Sequence, residues 1–573
     1  MSHQIFATGK PRNQTPDHQE WTDSLWIFGL FIAALLLFGL NLGGVALRDW
    51  DEGTVAQVAR EIAQGDLHWL YPTLHGSPYF NKPPLVHNLM AIVYHFAGIH
   101  EWTARFPSAL LTAASVPLLY VVGLELFRQR TAAVCSALVY LTLLPVVRHG
   151  RLAMLDGTVL FLLIMMFGCV LRSRRDLRYA LGSGLAFGLL CLTKGIFLAL
   201  LLGAIALIFL AWDTPRLLQC KYLWLGLLLG LFPVAIWYSA QWLKYDQEFF
   251  QINLGSQSWR RIWESVENNQ GAPWYYLLEI LKYAWPWQLF WIPGLIFTWK
   301  NRNFSWAKLI LVWTGVYFVS ISLMTTKLPW YILPIYPALA LAVGGYFAQV
   351  WREGDRETGQ WQGNDRQLED LPEPLPHKFI PIFALLSFVG CLGCLYFADL
   401  IPAFPVAEQE IDLPLTLASL SLTFALTALL LYRKDRQFLI ILFWGMYVSL
   451  ILFVSSNNWV WELAEDYPVK PVAALVQQRT SADDSIYTSH PYSRPSLNFY
   501  SDRKIRAVGD EELKQKWQSP HAYLLLDAAS LKRLQLDQVK SLGTVSGWTL
   551  ITKNKTQTTQ NSCCENLVQK STI

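Results

Sequence analysis

Three carboxylates, Asp49, Asp51 and Glu52, stand within four residues of one another, and an isolated lysine, Lys82, follows between a turn near Pro78 and the pair Pro83-Pro84. A carboxylate can take a proton from a hydroxyl, and a second one beside it lets local charge set the two pKa values apart. Asp51 and Glu52 are therefore candidates for a general base and its partner. They read equally as acids opening a helix near Thr54, where the macrodipole favours negative charge. An ammonium on a backbone stiffened by two prolines suits a phosphate oxygen, and adjacent guanidinium groups at Arg260 and Arg261 suit a bidentate grip on the same group or an exposed pair. Arg151, Asp156, Lys194 and Lys327 complete the set of ionisable groups in or beside apolar runs. A charge at mid-membrane costs about 2.5–3.5 kcal/mol even on the lenient insertion scale. Lys194 and Lys327 avoid most of that cost at loop edges, and each group taken alone reads equally as a snorkelling or helix-capping side chain.

The elements that must hold these residues are membrane helices. The chain has 573 residues, 53% hydrophobic and 15% charged, a balance that excludes an ordinary soluble domain. Apolar runs of bilayer-spanning length recur, and their count predicts a mainly α, polytopic bundle of about 13 spans. Basic clusters fall on alternate loops: Lys10/Arg12, Arg128/Arg130, Arg172 to Arg178, Arg216/Lys221, Lys300/Arg302 and Arg433 to Arg436. The positive-inside rule makes those loops cytoplasmic. The N-terminus is then inside, the C-terminus outside, and the protein multi-pass in the plasma (inner) membrane. Loop 48–105 and all the candidate residues lie on the extracytoplasmic face, where cations are normally depleted. The net charge of +4 reports topology and gives no sign of a nucleic-acid partner.

The expected divisions are a cytoplasmic tail at 1–24, a transmembrane catalytic domain at 25–455, a small extracytoplasmic α/β domain at 456–554 and a disordered tail at 555–573. In the α/β domain, 483–488, 522–526 and 549–553 read as strands and 471–478 and 511–517 as helices. The eight cysteines show no metal-ligand spacing with histidine, so neither a zinc cluster nor a disulfide framework is expected. His87, His95, His100 and His149 are scattered and read as interfacial or helix-end residues.

In their order and spacing, several short motifs resemble one family. They are Asp51-Glu52 with Ala-Arg-Glu-Ile-Ala-Gln-Gly-Asp downstream, Tyr-Phe-Asn-Lys-Pro-Pro at 79–84 and Arg-Leu-Ala-Met-Leu-Asp-Gly at 151–157. Leu-Thr-Lys-Gly at 192–195, Ala-Pro-Trp-Tyr-Tyr at 272–276 and Lys-Leu-Pro-Trp-Tyr-Ile-Leu at 327–333 follow. Together they resemble the GT-C membrane glycosyltransferases that use polyprenyl-phosphate sugars, in particular the lipid A aminoarabinose transferases and their protein O-mannosyltransferase kin. The resemblance covers nearly the whole membrane part and implies an inverting, single-step transfer of a sugar from a polyprenyl monophosphate to a lipid, glycan or protein acceptor. It implies that Asp51 activates the acceptor, with Glu52 beside it, and that Asp156 orients the site. Lys82, Lys194, Arg260, Arg261, Lys327 and Tyr331 would serve the carrier phosphate, with Lys194 near Asp51. It also implies that amphipathic parts of the first loop lie on the bilayer and frame a lipid entrance.

Three departures from the aminoarabinose transferases stand out. Asn81 replaces a glutamate before Lys-Pro, Thr54 replaces an arginine after the acidic pair, and residues 251–261 contain no histidine. The glutamate and histidine belong to a metal-binding feature in those relatives, so the expectation here is a metal-independent reaction without a cofactor. The competing class is a transporter or flippase of lipid-linked sugars. Transporters commonly carry internal repeats and midplane binding groups; here no repeat is evident and the ionisable groups gather at one rim.

Overall fold

The computed structural model describes residues 16–65, 68–265, 269–357, 377–400, 411–460, 467–519 and 521–554. The expected disordered tail at 555–573 and most of the N-terminal tail lie outside these residues. The chain divides into two compact units, Met1–Val45 with Val58–Glu462, and Ala46–Gln57 with Leu463–Ile573.

Helices make up the first unit almost entirely. In chain order they begin with α1 (Pro16–Gly39) and α2 (Thr54–Gln64), followed by the hairpin β1 (Thr73–Leu74) and β2 (Ser77–Pro78). Next come α3 (Leu85–Ala97), α4 (Glu101–Phe127), α5 (Arg130–Leu141), α6 (Leu144–Arg151), α7 (Asp156–Arg172), α8 (Ala180–Lys194), α9 (Ile196–Asp213) and α10 (Lys221–Phe250). The series closes with α11 (Arg260–Trp263), α12 (Tyr275–Tyr283), α13 (Gln288–Lys300), α14 (Ser305–Leu323), α15 (Tyr336–Glu357), α16 (Ile380–Phe397), α17 (Asp412–Tyr432) and α18 (Phe438–Ser455). Helix α2 opens at Thr54, where the sequence suggests a helix start, and buries Val55, Ala56, Val58, Ala59 and Ile62 along one face.

Among the described residues nine helices are long and apolar enough to cross a membrane, or ten if the bent pair α5 and α6 is one span. Each of the 13 apolar runs is helical, but four fall short of a straight crossing. Helices α7, α8 and α13 have 17, 15 and 13 residues, and α5 meets α6 at 59° where Pro145 opens the second helix. A helix rises 1.5 Å per residue, so such lengths end inside a hydrocarbon layer about 30 Å thick. Two of those ends carry candidate residues: α7 starts at Asp156 and α8 stops at Lys194. The stop is enforced by Gly195 at φ 107°, a backbone state that glycine adopts without strain.

Two buried arginines show how helix ends are satisfied away from water. The Arg151 guanidinium donates to the carbonyls of Leu37 (2.6 Å), Leu40 and Val454 (3.4 Å), and that of Arg105 to Leu42 (2.6 Å) and Val45 (2.7 Å). Both lie over the Trp459 ring, at 4.4 and 5.1 Å. Carbonyls after the end of α1 lack helical partners, and these guanidinium groups supply them. Trp459 and Val460 thus pack with Leu152 and Met154. The helical unit accordingly runs past the expected boundary at 456.

The second unit holds α19 (Val469–Arg479), β3 (Ser485–Thr488), α20 (Pro495–Ser501), β4 (Lys504–Ala507), α21 (Asp510–Trp517), β5 (Tyr523–Asp527), α22 (Ala528–Leu534), β6 (Val539–Val545) and β7 (Trp548–Lys553). Its five-stranded sheet has the order β4-β3-β5-β7-β6. Strands β4, β3 and β5 are parallel, with Ile486 opposite Ile505, and β5, β7 and β6 are antiparallel, with Leu525 opposite Leu550. The run Tyr-Leu-Leu-Leu-Asp of β5 is apolar at successive positions because both faces are covered. Leu525 joins one core with Val472, Val476 and Ile486, while Leu524 and Leu526 join the other with Leu513 and Trp517.

Candidate active site

In the helical unit, four expected residues meet in a row. Asp156 opens α7 and Lys194 closes α8, each where the helix dipole favours its charge. They form an ion pair with Nζ–Oδ1 2.5 Å, the side chains 12% and 4% exposed. The Lys194 ammonium also lies 5.5 Å from the centre of the Tyr331 ring. The Tyr331 hydroxyl in turn accepts a hydrogen bond from Arg261 (3.3 Å), whose other terminal nitrogen donates to Gln257 (3.0 Å). Backbone pairing sets this register. The amides of Thr325 and Thr326 donate to the carbonyls of Ile262 (2.9 Å) and Arg261 (3.2 Å), and the Tyr317 hydroxyl donates to the Tyr331 carbonyl (2.8 Å). The row thus offers two cations and a phenol linked by side-chain contacts, an arrangement suited to anionic oxygens.

Lys82 lies on a loop pinned on both flanks. The Asn253 amide donates to the Phe80 carbonyl (2.7 Å), and His87 Nδ1 donates to the Pro83 carbonyl (3.2 Å). Upstream, the Glu61 carboxylate of α2 ties the β1–β2 hairpin by accepting from the Thr73 hydroxyl (2.6 Å) and the amides of His75 (2.7 Å) and Gly76 (3.2 Å). Gln241 of α10 donates to the Leu70 carbonyl (2.6 Å). Glu61 belongs to the Ala-Arg-Glu-Ile-Ala-Gln-Gly-Asp motif, in which the sequence gives it no role; Asn253 and Gln241 carry no signal in the sequence because their partners are backbone atoms. Burial pushes the His87 imidazole down to about 4, and the nearby Lys82 charge works in the same direction. Burial likewise raises the Tyr79 phenol well above its usual range, and the Arg261 charge partly offsets it.

Two expected phosphate donors are placed differently. Lys327 is buried, and its ammonium donates to the carbonyls of Ile321 (2.9 Å) and Ser322 (2.7 Å), capping the end of α14 over the Tyr276 ring. Burial lowers its pKa. Arg260 points the other way from its neighbour: it is 59% exposed and pairs with Glu264 (2.9 Å), one helical turn on. Of the arginine pair, only Arg261 joins the row.

The acidic cluster lies in the second unit, in a π-helical turn at Asp49–Gly53. Asp51 is half-buried. Glu52 is fully buried, and its carboxylate accepts the Arg48 amide (3.2 Å), closing the turn. That contact makes Glu52 part of the turn's framework, where the sequence suggests a place beside the base. Asp49, without an assigned role in the sequence, is buried in an ion pair with Arg494 (2.6 Å).

The donor set fits a divalent ion poorly. Asn81 is a weak ligand, residues 251–261 offer no imidazole, and among the described residues no three His, Cys, Asp or Glu side chains cluster as a metal site.

Helices of unequal length, several of them ending at polar residues, together with a small α/β unit, make up a mainly helical, polytopic membrane fold. The structure superimposes on ArnT from Cupriavidus metallidurans bound to undecaprenyl phosphate with a TM-score of 0.72, at 18% identity, covering 92% of this chain and 98% of that one. It also matches the archaeal oligosaccharyltransferase AglB from Archaeoglobus fulgidus, TM-score 0.51, at 13% identity over 88% of this chain and 70% of that one. A family model described as dolichyl-phosphate-mannose-protein mannosyltransferase matches residues 81–238. The undecaprenyl phosphate-alpha-4-amino-4-deoxy-L-arabinose arabinosyl transferase of Erwinia tasmaniensis is 30% identical over 350 residues, 59% of this chain and 62% of the relative. That of Pectobacterium carotovorum is 31% identical over 334 residues, 56% and 58% of the two chains. The match thus spans about three fifths of the length of these curated relatives. In sequence and fold this multi-pass membrane protein is thus similar to the ArnT and PMT-related proteins.

Proposed function

We propose that the protein is an integral-membrane glycosyltransferase that moves a sugar from a polyprenyl monophosphate to a lipid, glycan or protein acceptor at the extracytoplasmic face. The observation that carries this reading is the row Arg261, Tyr331, Lys194 and Asp156, assembled from separate segments of the chain. The acceptor hydroxyl attacks the anomeric carbon opposite the phosphate. The sugar–phosphate C–O bond breaks, and its electron pair leaves with the phosphate. Asp51 takes the acceptor's proton, with Asp156 orienting the cations. Lys82, Lys194 and Arg261 are cations suited to the carrier phosphate, and the charge growing on the leaving oxygen is what they stabilise. The names of the sequence relatives, and the undecaprenyl phosphate bound to the matched ArnT, favour an undecaprenyl-type donor.

The test is transfer by the purified protein in liposomes supplied with polyprenyl-phosphate sugars, with mass spectrometry of envelope lipids and glycans from cells with and without the protein. A glycosylated product that depends on the protein, together with consumption of the carrier, is expected. Translocation of intact carrier with no transfer overturns the reading in favour of a flippase.

A further inference from the structure

The acidic turn is built into the C-terminal domain. Residues 46–57 belong to the same compact unit as 463–573, and contacts within that unit hold the turn on either side of Asp51. The Asp49 carboxylate accepts from Arg494 Nε (2.6 Å), from the Ser496 amide (3.3 Å) and from the Ser496 hydroxyl. Arg494 donates as well to the Tyr467 carbonyl (3.1 Å) and lies 4.1 Å from the centre of the Tyr467 ring. The Leu47 amide donates to the Tyr500 hydroxyl (2.8 Å), and the Trp50 ring rests 5.4 Å from that of Tyr492. Gly53 closes the turn through its amide on the Arg48 carbonyl (2.6 Å) and abuts α20, where a Cβ would come within 2.8 Å of the Ser496 nitrogen.

A buried ion pair contributes little net stability, because desolvation offsets attraction; its best-attested use is to fix one geometry. The contacts just described fall on residues 47, 49, 50 and 53, and Asp51 stands in the middle of them. We infer that the C-terminal domain is a positioning element of the catalytic turn, with Arg494 and Asp49 as its positioning residues. This inference rests on the reading of Asp51 as the base. Residues 463–573 fix the backbone from which Asp51 meets the acceptor, and the small displacement that follows loss of their contacts is costly because rate is steep in reactant geometry.

The test uses the full chain in liposomes and four variants: Asp51→Asn, Arg494→Met, the double variant Asp49→Asn/Arg494→Met, and Gly53→Ala. The double variant removes both buried charges, so it folds even where Arg494→Met alone does not. The double variant and Gly53→Ala are expected to lower kcat per folded molecule by about 10–100-fold. Binding of undecaprenyl phosphate should stay within twofold of the parent, and amide exchange across residues 50–54 should speed up. A double variant and a Gly53→Ala variant with parental kcat, beside an inactive Asp51→Asn, overturn the positioning role while leaving the base in place. Parental kcat in Asp51→Asn removes the base and this inference with it.

Discussion

The two units treat their buried ion pairs in opposite ways. Lys194 and Asp156 sit at helix ends, and their neighbours in the row are side chains: a phenol, then a guanidinium held by a glutamine. Arg494 and Asp49 are sealed at 1% and 5% exposure and are locked onto backbone groups, the Ser496 amide and the Tyr467 carbonyl. The same division runs through the helical unit. Lys327, Arg151, Glu61 and Asn253 also bond backbone atoms. A side chain held by side chains can exchange partners when a ligand enters. One that satisfies backbone polar groups cannot leave without orphaning them, at about 1–3 kcal/mol each. The comparison therefore separates chemistry from architecture among residues that look alike in sequence.

The sharpest way to break it is Asp51→Asn, which keeps shape and removes basicity. Transfer should fall by roughly 10²–10⁴-fold with folding and carrier binding preserved. Parental turnover in the purified variant would remove Asp51 from the chemistry. Next is the contrast between two lysines. Lys194→Met leaves Asp156 buried alone, a loss of about 3–5 kcal/mol if nothing relaxes, and Lys194→Met/Asp156→Asn should recover thermal stability but not carrier binding. Lys327→Met should cost stability while the folded fraction binds carrier normally. If competition with polyprenyl phosphate shows the reverse order, the division by partner type fails.

A third prediction concerns pH. Burial holds the His87 pKa at about 4 in the folded protein, against 6.5 for the free group. Above 6.5 both states are neutral and the group has no effect. As pH falls from 6.5 towards 4, the unfolded chain takes up the proton and the folded one does not. Stability should drop by about 1.4 kcal/mol per pH unit, or roughly 3 kcal/mol in all. Melting temperatures in detergent should show this acid slope, and His87→Gln should flatten it. The smallest effects are expected at the exposed arginine and from chelation. Arg260→Ala should change stability by less than about 0.5 kcal/mol and leave carrier affinity unaltered, whereas Arg261→Ala weakens it. Thorough chelation should leave the rate unchanged; recovery of a lost rate by one specific metal would reveal ligands other than those at 81 and 251–261.

The helices were legible because apolar runs must bury their backbone polar groups in helical bonds. The start of α2 near Thr54 was legible, and so was β5 from its unbroken Leu run. Strands β4 and β6 were not. Lys-Ile-Arg-Ala and Val-Lys-Ser-Leu-Gly-Thr-Val lie at the two edges of the sheet, half in solvent, and show no apolar pattern. The ionisable residues could be enumerated in sequence, but their partners could not. Asp156 finds Lys194 at a distance of 38 residues, and Lys327 finds carbonyls that exist only because α14 ends at Leu323. Nothing local shows that Asp49 is sealed, because the deciding group is Arg494.

That separation has a consequence for biosynthesis. Asp49 and Arg494 are 445 residues apart, and at about 5–20 residues per second the ribosome needs roughly 20–90 s to travel between them. Throughout that interval the helical unit can insert and pack while the acidic turn still lacks the partners that fix it. The acidic turn is then ordered only once the segment carrying Arg494 has been made, and a chain terminated before that residue carries Asp49 without the partner that seals it.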